Sequence, residues 1–221
     1  MLVAGLALLG QAGCDSATKS QLYPDNELPA AERTPFTVSQ ERESFLALYE
    51  PLDTFPVPVS TKIGEWEGPH SEKFLWKGRP LPEKYWILFD TLVHVENNYT
   101  GETFYANKKF RVDDHTLALL TRVPGQYWSS QIYLFLLDTV RFRVTHAYRL
   151  AESWADAGDS FYLESVIHQP GPGRFRLESR QGECHPLDAD YRKFKCTDTL
   201  TVCLLRDKQF KIITRKAVRK T

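Results

Sequence analysis

The sequence predicts an all-β protein: an antiparallel β-meander folded as a sandwich, an open barrel or a propeller-like sheet, with one short N-terminal helix. The central observation is the stretch from His115 to Thr139, in which two short apolar runs are separated by Pro-Gly and Ser-Ser. In both runs the odd-numbered and the even-numbered positions are apolar, so both faces of each strand would be apolar. This pattern is typical of strands that are covered on both faces. Aromatic residues make up 13% of the chain, and they favour pleated surfaces. We expect about nine or ten strands, with this pair in the middle of the sheet.

The short helix is expected to begin after Ser39, which can cap its N-terminus. Its buried stripe would consist of Phe45, Leu48 and Tyr49. Pro51 would end it, because proline cannot continue a helix.

A proline-rich segment follows, and its alternating Phe55, Val57 and Val59 predict an edge strand. An edge is the place in a sheet where prolines are tolerated. Further extended segments are expected at 73–76, 85–95 and 104–112, with a turn at 97–101 before the last of them.

Residues 140–154 allow two interpretations, a strand with a bulge or a helix with Gly158 as its C-terminal cap. The short spacing of the neighbouring strands favours the strand. A hairpin turn is expected at 169–173 and another across Asp207-Lys208. The remaining strands are expected at 161–168, 174–180, 199–205 and 209–214.

The overall charge argues against one class of partner. The chain has 28 basic and 28 acidic residues among 221. Proteins that bind nucleic acids usually carry a basic excess, so we expect no nucleic-acid partner. The length suits a single domain with a tail.

The N-terminus carries the most specific signal. Residues 2–13 form an apolar run that is too short to span a bilayer and that suits a secretory signal peptide. The run ends with Ala12 and Gly13, Cys14 follows it, and this junction resembles the lipobox of bacterial lipoproteins. Two departures from that pattern are Gln11, where Leu is usual, and the lack of a basic residue after Met1.

The resemblance implies that the signal is removed before Cys14 and that acyl chains on Cys14 hold the protein in a membrane of the bacterial cell envelope, facing the periplasm or the surface. Two or three acyl chains make a durable anchor. The alternatives are an ordinary cleaved signal with an incidental cysteine and an N-terminal fragment of a buried helix. In the lipoprotein interpretation, residues 14–38 are the lipidated cysteine with a flexible tether, and residues 39–221 are a single β-rich domain. That domain resembles all-β envelope lipoproteins in general style only.

The remaining cysteines predict one disulfide bond. Cys184 and Cys196 are symmetric about Asp190 in a polar hairpin loop, so a two-stranded ribbon can place them opposite each other. Cys203 lies among apolar residues and is expected to be a buried free thiol. A zinc site using Cys184, His185 and Cys196 is the alternative, but its spacing matches no familiar zinc motif.

The densest acidic group is Glu152, Asp156, Asp159 and Glu164. It is sparser than a calcium-binding loop, and a solvent-exposed turn is the favoured interpretation. A carboxylate pair for glycoside hydrolysis is the alternative. The familiar nucleophile, phosphate-loop, dinucleotide and zinc-protease motifs are missing from the sequence, so we expect no metal and no cofactor and nominate no catalytic residue.

The candidate partner-binding residues are Tyr127 and Trp128, in the loop 124–130 between the two central strands. An aromatic side chain exposed on a rigid loop is a typical binding anchor. The alternative is that both rings fold over the end of the core. Two functions therefore remain: a non-catalytic envelope protein that binds a protein or glycan partner or helps an assembly, and an anchored hydrolase of polysaccharide or cell wall.

Overall fold

The structure is a computed structural model, and it describes residues 39–61, 74–89, 92–93, 103–124, 130–188, 190 and 192–218. The predicted signal peptide, tether and Tyr127-Trp128 pair lie outside these residues. Within them the all-β prediction is confirmed.

The elements follow the chain in a simple order. Helix α1 is Ser39–Ala47, and a short 3-10 helix covers Glu83–Leu88. Three strands are very short: β1 Glu50–Pro51, β2 Val57–Val59 and β3 Arg79–Pro80. The eight long strands are β4 Tyr105–Asp113, β5 Thr116–Pro124, β6 Ser130–Asp138, β7 Arg143–Asp156, β8 Asp159–Gly171, β9 Arg174–Pro186, β10 Phe194–Arg206 and β11 Gln209–Ala217.

All eleven strands belong to one open sheet. Strands β4 to β11 form an antiparallel meander in which each strand pairs with the next in the chain. The sheet is mixed, because β1 pairs with β4 in parallel. The first edge is formed by β1 and β3, which both pair with β4, and the other edge is β11.

Strand β7 divides the sheet into two halves. Its first part, as far as Ala151, pairs with β6, and its last part, from Glu152, pairs with β8. Strand β2 then pairs with β8 where β7 no longer does, at residues 165–167. The two halves face each other, since Phe110 of β4 and Phe175 of β9 lie with ring centroids 4.9 Å apart.

Two hydrophobic clusters cover both faces of the first half. One lies between the halves and includes Leu120, Leu134 and Leu177. The other packs the opposite face against the helices and includes Phe45, Leu119, Phe135 and Tyr85. The prediction that the two central strands have little exposed face is therefore confirmed, since twelve of their side chains are buried: Thr116, Ala118, Leu119, Leu120, Thr121, Val123, Ser130, Ile132, Leu134, Phe135, Leu136 and Leu137.

Two sequence interpretations on the N-terminal side are wrong. Residues 74–76 form no strand, and the segment predicted as extended at 85–95 contains the 3-10 helix Glu83–Leu88. In this segment Tyr85 and Phe89 are buried while Ile87 is exposed, a helical spacing that a continuous apolar run hides.

The C-terminal side follows the sequence more closely. Residues 143–156 form a strand with two register shifts against β6, as the bulged-strand interpretation predicts. The turns at Ala157-Gly158 and Asp207-Lys208 have positive φ at both central residues, the geometry that matches the twist of a two-residue hairpin. Strands β9 and β10 extend further than predicted, to Pro186 and from Phe194.

A buried hydrogen bond fixes the end of the helix against the sheet. The Tyr49 hydroxyl lies 2.9 Å from the Thr121 hydroxyl, and both residues are at most 1% exposed. Burial raises the pKa of Tyr49, so its hydroxyl stays protonated. Each hydroxyl is the other's partner in an otherwise apolar layer.

We predict that Tyr49→Phe lowers the free energy of unfolding by about 1–3 kcal/mol, because it leaves the Thr121 hydroxyl buried without its partner. Urea unfolding followed by tryptophan fluorescence measures this loss. The double variant Tyr49→Phe/Thr121→Val should lose less than the sum of the two single variants, because it removes both polar groups. Additive losses would contradict the role given to this bond.

Candidate functional site

Among the described residues, the structure brings one predicted pair of site residues together, Cys184 and Cys196. Cys14, Tyr127 and Trp128 lie outside the described residues, and of the four acidic residues only Asp156 and Asp159 are register partners. Glu152 pairs in register with Leu163, so Glu164, the next residue of β8, projects from the opposite face of that strand. Asp156 and Asp159 flank the β7–β8 turn. The described side chains include no group of three or more His, Cys, Asp or Glu placed to hold a metal ion.

The structure contains the disulfide bond that the sequence predicts between Cys184 and Cys196. The two cysteines are register partners on β9 and β10, and their Cα atoms are 4.1 Å apart. The bond uses both sulfur atoms, which removes the zinc alternative with His185. The prediction for Cys203 is half right: it is fully buried, but it is not a free thiol.

The disulfide closes a hairpin whose end carries exposed apolar side chains. We call Leu187, Asp188, Arg192, Lys193 and Phe194 the stapled tip. Leu187 is 63% exposed and Phe194 45%. The backbone is fixed, since the Leu187 N–H donates to the Lys193 carbonyl and the Asp188 carboxylate accepts from the N–H groups of Arg192 and Lys193.

On the far side of the disulfide from the stapled tip, a polar cluster occupies one face of β8, β9 and β10. The Arg180 guanidinium binds both carboxylate oxygens of Asp198, with Nε 3.0 Å from each. Asp198 is only 3% exposed. Burial and a hydrogen bond to Asp198 raise the pKa of Tyr162.

The side chains of this cluster fit together because residue 182 is a glycine. It lies between Tyr162 on β8 and Asp198 on β10 in register. A Cβ atom on Gly182 would stand 2.2 Å from Cε1 of the Tyr162 ring. The ring therefore occupies the space that any other residue at position 182 would need.

A second buried carboxylate, Glu152, lies where β7 leaves β6. Its oxygens are 2.6 Å from an Arg149 guanidinium nitrogen and 2.7 Å from the Gln131 amide nitrogen. Burial raises the pKa of neighbouring Tyr133. Glu152 and Asp198 are thus both fixed by cationic partners, as buried carboxylates require.

Sequence reasoning missed the Tyr162–Arg180–Asp198 cluster. The three residues come from three strands, and each looks like an ordinary solvent-facing position in its own strand. The one local signal is Gly182, because a glycine inside a strand often marks a close approach. For the stapled tip the sequence predicts only a polar loop, although the segment contains Leu187 and Phe194.

We predict that Gly182→Ala destabilises the domain by about 1–3 kcal/mol, as overpacking of a filled site does. In a Tyr162→Ala background the same substitution should cost much less, because the ring that blocks the added methyl group is gone. Urea unfolding of the four proteins in this cycle gives the coupling. Equal losses in both backgrounds would show that the ring does not set the requirement for glycine.

The disulfide leads to a separate prediction. Under oxidising conditions, Cys184→Ser/Cys196→Ser should lower the free energy of unfolding by about 3 kcal/mol, the chain-entropy value for a loop of about 15 residues. Urea unfolding of the wild type and the variant measures this loss in the free energy of unfolding. Reduction should abolish the difference between the wild type and the variant, which is the control for effects of the serine side chains themselves. A difference that persists after reduction would contradict the assignment.

Comparisons with known proteins do not place the chain in a family. No family model, curated protein or solved structure matches it. Neither helix of the described ranges has the length and apolar character needed to cross a membrane. A functional assignment therefore has to come from the residues of the chain itself.

Proposed function

We propose that the protein is a lipid-anchored component of the bacterial cell envelope that binds a partner or helps an assembly without catalysing a reaction. The observation that carries this proposal is the Ala12-Gly13-Cys14 junction behind the apolar run 2–13. Acyl chains on Cys14 are the contact with the membrane. The polar, proline-containing residues 15–38 give the folded domain a tether.

The Cys184–Cys196 disulfide supports export. Its position on a hairpin with Cys196 exposed makes it accessible to reductants. Exposed structural disulfides persist in oxidising compartments such as the periplasm and the cell surface, and they are rare in the cytosol. The cysteine pattern and the N-terminal junction thus favour the same location from independent parts of the chain.

The state of the buried charges favours binding over catalysis. A general acid or base must reach a substrate, whereas Glu152 and Asp198 are at most 4% exposed and are each held by an arginine. The alternative, an anchored hydrolase of polysaccharide or cell wall, gains no support from the dispersed carboxylates. An exposed aromatic side chain on fixed backbone, such as Phe194, is typical of protein contacts. Tyr127 and Trp128 remain predicted contacts for an envelope protein or a glycan.

The anchor is tested by metabolic labelling. Bacteria that express the full chain are grown with an alkyne analogue of palmitate, and the purified protein is tested for incorporated label. We expect the wild type to be labelled and to fractionate with membranes, and Cys14→Ser to lose both properties. Cys184→Ser/Cys196→Ser is the matched control, and it should keep the label because these cysteines lie inside the folded domain.

Two results would contradict the anchor. One is wild-type protein without label, and the other is label that survives in Cys14→Ser. Because one sulfur atom cannot carry both a thioether and a disulfide, peptide mapping of oxidised protein gives a further check. Recovery of Cys14 linked to another cysteine would overturn the proposal.

A further inference from the structure

The last strand, β11, is a long edge strand that is open to solvent. Within the described part of the chain it pairs with β10 alone. All residues from Lys211 to Ala217 are exposed. In an antiparallel edge strand, alternate residues direct their N–H and C=O groups away from the sheet, so these groups of β11 point away from every strand that the structure describes.

The charge of this edge is one-sided, although that of the whole chain is balanced. From Arg206 to Ala217 there are five basic residues and one acidic residue, Asp207: the basic ones are Arg206, Lys208, Lys211, Arg215 and Lys216. Asp207 forms an ion pair with Lys211 at 2.7 Å. The surface beside the edge is therefore positive, with a field that favours an acidic ligand.

The edge also offers apolar contacts. Ile212 is 39% exposed and Ile213 47%. The register shifts at this point: Ile212 pairs with Cys203 and Thr214 with Val202, so Ile213 has no partner on β10. A strand added at this edge would cover one or both isoleucines, which gives the contact an apolar component besides the charges.

A second copy of the chain is a poor occupant. Antiparallel self-pairing centred on Ile213 would place Lys211 directly opposite Arg215, and like charges directly opposite each other are destabilising. In-register parallel self-pairing would align each basic residue with its own copy. The same charges favour a strand that carries carboxylates.

We propose that the outer edge of β11 binds an extended acidic segment of a partner protein, which adds to the sheet as a further strand. Backbone hydrogen bonds would hold the segment, and its carboxylates would pair with Lys211 and Lys216. This inference deepens the proposed role as a binding module, and it does not depend on acylation of Cys14.

The probe is a fluorescein-labelled peptide of alternating valine and glutamate, long enough to span the nine residues of β11. Its binding to the full-length protein is followed by fluorescence anisotropy. We expect binding that weakens as salt is raised. We expect at least about tenfold weaker binding for a valine-lysine peptide and for the acidic peptide N-methylated at alternate residues, because the first reverses the charge and the second removes backbone donors.

Three variants assign the site. Lys211→Glu/Lys216→Glu should lose the acidic peptide and bind the valine-lysine peptide. Ile213→Pro keeps every charge but removes a donor and adds a ring at a residue without a partner on β10, so it should lose the acidic peptide while urea unfolding shows an intact fold. Lys77→Glu, an exposed lysine just before β3 at the other edge of the sheet, is the matched control and should bind normally.

Three outcomes would overturn the proposal: equal binding of the acidic and basic peptides, undiminished binding of the N-methylated peptide, or a dimer in sedimentation that Ile213→Pro dissociates. The N-methylated peptide decides the question even if Ile213→Pro does not fold. Labelling of Cys14 is read out separately. If labelling succeeds and peptide binding fails, this inference is wrong while the anchored protein stands; if only labelling fails, the anchor is wrong.

Discussion

The structure depends on the change of partner along β7. This strand pairs with β6 as far as Ala151 and with β8 from Glu152 onward, so it belongs to both halves of the sheet. The change buries the Glu152 carboxylate, and hydrogen bonds from Gln131 and Arg149 compensate for the lost hydration. Because β7 turns from one half to the other, Phe110 can meet Phe175 across the core. Strand β2 pairs with the part of β8 that β7 does not reach, so this part of β8 also has a neighbouring strand.

The parts of the fold that the sequence predicts are those with local signals. The central strands, the hairpin turns and the bulged β7 all follow from periodicity and turn residues. The change of partner along β7 has no local signal in the sequence, because it depends on which distant strands β7 pairs with. The sequence therefore does not distinguish a sandwich, a barrel and a propeller-like sheet. The prediction of an extended segment at 85–95 is wrong because this segment, too, depends on packing against distant residues. Its apolar run contains both the buried Tyr85 and the exposed Ile87, and only the packing against α1 tells them apart.

The candidate site also contains features that local sequence signals predict and features that they do not. Cys184 and Cys196 were paired correctly because a hairpin makes their contact local. The burial of Cys203 followed from its apolar neighbours, but those neighbours carry no information on its oxidation state. Asp198 looks like a solvent-facing residue of a polar strand, and its burial becomes evident only when Tyr162 and Arg180 arrive from two other strands. Polar groups that are buried by assembly of the sheet are thus the features that a single sequence hides best.

The two edges of the sheet differ in a way that bears on function. At the β4 edge, β1 and β3 are two residues long and each contains a proline, Pro51 or Pro80, which has no N–H to donate. At the other edge, β11 runs for nine residues, and all of its side chains except that of Phe210 are exposed. No described strand covers its outer backbone groups as β1 and β3 cover those of β4. Lysines on an edge strand are a common protection against edge-to-edge aggregation. On β11 the basic residues are accompanied by Ile212 and Ile213, which a purely protective edge would not need to expose. The same charges that would repel a second copy would favour an acidic strand, so under the binding proposal a single arrangement of residues would both oppose self-association and select a partner.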